Sequence, residues 1–146
     1  MDAKLVFIVV VPMLIIGLSA ADIPNLIGNW TGFGEGYQNS TGYLNKNEAG
    51  ALTMMISEQK GRLFIGNLVI NESSEHRVLS PLIEGFSGII GLDNKTLFIA
   101  EYDKGYDLGT LTSNNAAELY YLEDGENAGA FILTLTRTTI SAANQE

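Results

Sequence analysis

A chain of 146 residues, 46% of them hydrophobic, is long enough for one domain with a real core and too short for two ordinary ones. Its formal charge of -9, with only 8 Lys and Arg, excludes the clustered basic surface that phosphate backbones require, so nucleic acid is not an expected partner. The lack of cysteine excludes a disulfide framework, a thiol nucleophile and a thiolate metal site.

The N-terminus speaks to compartment. Lys4 precedes an apolar run from Leu5 to Leu18, broken only by Pro12 and Gly17, and Ser19, Ala20, Ala21 and Asp22 follow. A short basic region, an apolar region and a small-residue site make a secretory signal. Cleavage after Ala21 puts Ser19 and Ala21 at the two positions that need small side chains. The competing reading is a retained membrane anchor, since Leu5 to Ala21 is 17 residues, the lower end of what spans a bilayer.

Asp22 to Ile27 is a short lead-in containing Pro24, and the first strand is expected over 28–36, GNWTGFGEG. Its glycines at 28, 32, 34 and 36 share a parity with Trp30. Such a strand is weak unless the sheet coils sharply or packs closely there, as a small barrel demands. Further strands are expected at 50–58, 62–71, 84–92, 96–103, 107–113, 116–123 and 129–137, the first two joined by a turn at Glu58 to Gly61. Trp30-Thr31-Gly32, Phe64-Ile65-Gly66 and Phe86-Ser87-Gly88 each set an aromatic ring two residues before a glycine. Both then lie on one face of a strand, where the ring can cover the bare backbone. Trp30, Phe64 and Phe86 are therefore assigned to the interior. Other strands, such as Leu97 to Ala100, are apolar on both faces, so their inward parity cannot be read.

The expected product is all-β: a single antiparallel up-and-down β-barrel of about eight strands, preceded by an N-terminal apolar signal helix. The division is 1–21 signal or anchor, 22–138 barrel and 139–146 polar tail. Gly28-Asn29-Trp30 opening the first strand, followed by this meander, resembles the calycin superfamily of lipocalins and avidin-like barrels. In lipocalins a Gly-x-Trp at this place puts the tryptophan at the closed floor, which is the role the resemblance implies for Trp30. Trp30 is the only tryptophan, so the tryptophan-lined biotin site of avidins is not implied.

Long connections are expected at Tyr37 to Ala49 and Asn71 to Ile83, and tight ones at Gln59 to Gly61, Asp93 to Lys95 and Asn114 to Asn115. In an up-and-down barrel the long loops share one end, which makes a cup with a mouth. Trp30, Phe64 and Phe86 inside, with Tyr37, Tyr43, His76 and Arg77 on the mouth loops, form the candidate ligand-binding set. Acidic residues around the mouth favour a neutral or cationic apolar guest. The rival reading is a structural or interaction protein at the cell surface, with the N-terminal helix retained and the barrel filled.

Four sequons occur. Asn39, Asn71 and Asn94 fall in or beside loops and are glycosylation candidates, whereas Asn29 lies in a strand. Glu101-Tyr102-Asp103-Lys104-Gly105-Tyr106-Asp107 gathers three carboxylates at a glycine turn but lacks the ligand series of a calcium loop, and reads as a charged hairpin tip. His76 is the only histidine and no nucleophile elbow is present. Paired carboxylates such as Glu101 and Glu118 have no separation that sequence can define. No catalytic residue, metal or cofactor is assigned; the membrane enters only through an uncleaved N-terminal segment.

Overall fold

A computed structural model of the chain describes residues 22–71 and 82–138. Among these residues nine strands form: β1 (Gly28–Gln38), β2 (Gly42–Leu44), β3 (Ala51–Lys60), β4 (Leu63–Asn71), β5 (Leu82–Ile90), β6 (Thr96–Glu101), β7 (Tyr106–Ser113), β8 (Ala116–Glu123) and β9 (Gly129–Arg137). Strands β1 and β3 to β9 pair in sequence order, and β1 pairs again with β9, so the sheet closes into an eight-stranded antiparallel barrel. Among the described residues, closure gives each of the eight barrel strands a neighbour on both sides and leaves only the short β2 with a free side. Residues 1–21, 72–81 with His76 and Arg77, and 139–146, on which the expected signal, second long connection and polar tail fall, lie outside the described residues.

One expectation requires correction. The connection expected over Tyr37 to Ala49 holds the extra strand β2, which folds back on the end of β1 with Gly36 opposite Leu44 and Gln38 opposite Gly42. The polar turn at 39–41 reverses the chain, and Asn39 is anchored there by its backbone N–H to the Ala128 carbonyl at 2.8 Å.

The tight turns carry recognisable chemistry. Gly61 adopts a left-handed φ of 59° at the β3–β4 turn, and Asn94 does so at 57° between β5 and β6, as asparagine tolerates. Beside Asn94, the Asp93 carboxylate accepts bonds from the Thr96 hydroxyl and from the backbone N–H groups of Thr96 and Lys95. These bonds, the Thr96 hydroxyl first, lower its pKa to about 2.

The core lies inside the lower barrel, the end at which β1 begins. Trp30, Met54, Phe64, Phe86, Ile90, Leu97, Leu119 and Leu135 are almost wholly enclosed there. Of the glycines of β1, Gly32 and Gly36 serve close backbone approach: a Cβ on Gly32 would stand 1.8 Å from the Thr134 carbonyl oxygen on β9. Those of β4 and β5 are covered by rings, because the register sets Phe64 opposite Gly88 and Phe86 opposite Gly66. The covering thus acts across the strand pair rather than along one strand.

Candidate functional site

Strand β1 is shared unevenly. Its lower part, Gly28 to Phe33, pairs with β3, and from Trp30 with β9 as well, but from Gly34 onward the β3 pairing ends and only β9 and, from Gly36, the short β2 lie beside it. Where β1 leaves β3, β2 and the turn before β3 stand in the gap. A cavity of about 420 Å³ lies at this place, at the mouth end of the barrel. That volume falls within the range of sites for small molecules. Leu44, Leu52, Leu68, Ile70, Phe131 and Leu133, from β2, β3, β4 and β9, make one side apolar; Glu101 from β6 and Tyr121 and Glu123 from β8 make the other, and Gln38, Thr41 and Glu48, between the end of β1 and the start of β3, complete the lining.

Strand alternation produces the acidic side. Glu84 lies two residues before inward Phe86, Glu101 two after inward Ile99, Asp107 two before Gly109, and Tyr121 two after inward Leu119. Asp107 is 3% exposed, and its Oδ1 has no hydrogen-bond partner. Its carboxyl and that of Glu101 are hydrogen-bonded to each other. Burial, then the charges of Asp107 and Glu84, push the Glu101 pKa far above the usual carboxylate range; burial raises that of Asp107 as well. The pair therefore retains a proton at neutral pH.

Neighbouring groups hold the cluster in place. Tyr121 donates from its hydroxyl to Glu123 at 3.0 Å, and burial, followed by the Glu101 charge, raises the Tyr121 pKa. Glu84 accepts from the backbone N–H groups of Asp103 and Lys104 at 2.6 and 3.1 Å, tying down the β6–β7 turn. Among the described residues no group of three or more His, Cys, Asp or Glu has an arrangement suited to a metal ion.

The residues assigned to ligand binding from sequence are dispersed. Trp30, Phe64 and Phe86 are packed into the lower barrel and are not in the cavity wall. Tyr37 and Tyr43 stand on the exposed outer surface, their rings 5.3 Å apart, with the Tyr43 hydroxyl donating to Glu35 at 3.2 Å. His76 and Arg77 lie outside the described residues. Of the sequon asparagines, Asn39 is exposed in the turn after β1, Asn71 ends β4 and Asn94 occupies the β5–β6 turn. Glu101 faces in while Glu118 is bound on the outside by the Tyr120 hydroxyl at 2.6 Å, so they do not form a catalytic pair.

The opposite end is closed. Trp30 donates its indole N–H to the Leu26 carbonyl at 2.9 Å, and the Arg137 guanidinium lies 5.6 Å from the centre of the indole ring. Arg137 also donates to the carbonyls of Asn25 and Ile27. Gln59 both accepts from the Leu26 N–H at 2.7 Å and donates to the Pro24 carbonyl at 2.9 Å. The lead-in thereby becomes a plug across the floor.

Sequence reasoning missed Glu84, Glu101, Asp107, Tyr121 and Glu123 as one inward group. For Glu84 the signal was present in its parity with Phe86. For Glu101 and Asp107 it was hidden by strands apolar on both faces.

No protein-family model and no curated protein matches the chain. Among solved structures, one described as a redesigned beta barrel superposes with a TM-score of 0.55 at 13% sequence identity, over 78% of this chain and 92% of that one. The likeness concerns fold alone, and the fold is a small, closed, antiparallel eight-stranded β-barrel with one added strand.

Proposed function

We propose that this protein is a secreted, calycin-like binding module whose barrel mouth holds a small, largely apolar molecule, neutral or cationic in charge. The observation that carries this reading is the 420 Å³ cavity, apolar on one side and lined by carboxyl groups on the other. An apolar wall with a few convergent polar groups is what a small-molecule site requires. The negative charge of that second side disfavours fatty acids and other anions. The calycin-like reading draws on Gly28-Asn29-Trp30 opening β1 and on the enclosure of Trp30 at the floor. Export is supported by the order of Lys4, the apolar run and the small residues up to Ala21.

Isothermal titration calorimetry of the purified protein with a panel of neutral, cationic and anionic lipophiles tests the reading. Saturable binding of neutral or cationic members, weakened by replacing Leu68 with a larger or charged residue, is expected. No saturable binding across the panel would leave the barrel a structural or interaction domain.

A further inference from the structure

We propose that the acidic side of the cavity is a seat for the ammonium group of a primary amine whose apolar body lies against Leu52, Leu68 and Leu133. This deepens the binding-module reading and rests on it.

The geometry carries the assignment in three steps. Glu101 and Glu123 present carboxyl groups to the cavity beside the Tyr121 hydroxyl. Asp107, behind this wall, is directly across the β7–β8 pair from Tyr121 and is bonded to Glu101. Its Oδ1 is buried and accepts no hydrogen bond. A buried carboxylate oxygen without a donor is costly, and here it adjoins two further carboxyl groups, so the site is rich in acceptors and short of donors. A primary ammonium supplies three N–H donors and one positive charge, with no acceptor to be left unpaired. An alcohol supplies one donor, and a carboxylate adds repulsion.

Charge balance defines the binding step. Among the described residues the charged groups at or behind the seat are acidic: Glu101 from β6 and Glu123 from β8 line it, Glu84 from β5 and Asp107 from β7 adjoin Glu101, and the Tyr121 phenol lies beside them, while Glu48 lines the cavity from the turn before β3. In the empty barrel the Glu101–Asp107 pair keeps a proton that limits their repulsion. The ammonium takes over that role, and the proton leaves to solvent. Amine binding is then coupled to release of up to about one proton, and affinity rises up to about tenfold per pH unit while the free cluster stays protonated and the amine stays charged.

The test uses three probes with one body: phenylbutylamine, phenylbutanol and phenylbutyrate, titrated calorimetrically into the purified protein near neutral pH in two buffers of different ionisation enthalpy. The amine is expected to bind at least about tenfold more tightly than the alcohol, and the alcohol more tightly than the carboxylate. The amine's heat should differ between buffers by the amount for proton release. Glu101→Gln should collapse the amine-to-alcohol ratio and the buffer dependence together, whereas Glu118→Gln, on the outer face, should leave both in place. Equal affinity for amine and alcohol, or amine binding without proton release, overturns the ammonium seat while the binding module stands. Absence of binding by all three overturns both.

Discussion

Phe64 and Phe86 meet edge to face inside the barrel, ring centroids 6.2 Å apart at 71°, and each lies opposite a glycine on the other's strand. A Cβ on Gly88 would stand 2.2 Å from the Phe64 ring, and one on Gly66 would stand 2.1 Å from the Met55 carbonyl oxygen and 2.7 Å from the Phe86 ring. Two rings and two bare backbones thus make one packing unit across β4 and β5.

This unit predicts that Gly88→Ala destabilises by about 1 to 3 kcal/mol through overpacking. Phe64→Ala should cost about 3 to 5 kcal/mol through the cavity it leaves. The double variant should recover part of the summed loss, because the smaller residue at 64 makes room for the methyl at 88. Denaturant unfolding of the three variants measures this; strict additivity would refute the coupling.

At the floor, Trp30→Ala should cost about 3 to 5 kcal/mol, since it removes a fully enclosed ring. A loss below about 1 kcal/mol would show that the indole is not enclosed. Arg137→Met should release the lead-in by removing the donors to Asn25 and Ile27. Hydrogen exchange in residues 22–27 should accelerate well before the strands open.

The acidic cluster predicts a pH dependence with a definite sign. Glu101 and Asp107 have pKa values raised by folding. Between the unfolded and folded values the native barrel therefore holds protons that the unfolded chain has released. Their contribution to stability is complete below the ordinary carboxylate range and is lost as pH rises through the folded values. Glu101→Gln, whose amide can donate to Asp107 without a titratable proton, should flatten the decline on the neutral to alkaline side. Melting curves from about pH 5 to about pH 9 for both proteins check this; parallel declines would be contrary to it.

The N-terminal segment predicts a mature chain beginning at Asp22. Intact mass of the protein from its native source reads this directly, together with any glycan on Asn39, Asn71 or Asn94. A mass that retains residues 1–21 would favour the anchored alternative.

Sequence alone determined the strand content and most strand positions, because alternation, glycine turns and Asp-Asn or Asn-Asn pairs are local signals. It also determined the inward face of β1, β4 and β5, where glycine and aromatic residues share a parity. The closed barrel was also expected, from the glycine-rich strands and the regular meander, but register was decided only by tertiary structure. Leu63, Ile89, Phe98, Leu108, Tyr120 and Ile132 form a row of successive cross-strand partners, and all are exposed on the outside. With large apolar residues on both faces, hydrophobicity could not say which set points inward. The cavity depended likewise on a nonlocal event, the departure of β1 from β3 at Gly34, and Glu101 met Asp107 only because β6 and β7 were brought side by side. A carboxylate's neighbours follow from strand pairing, and the local sequence around Glu101 holds nothing that distinguishes an exposed hairpin tip from an inward-facing acidic cluster.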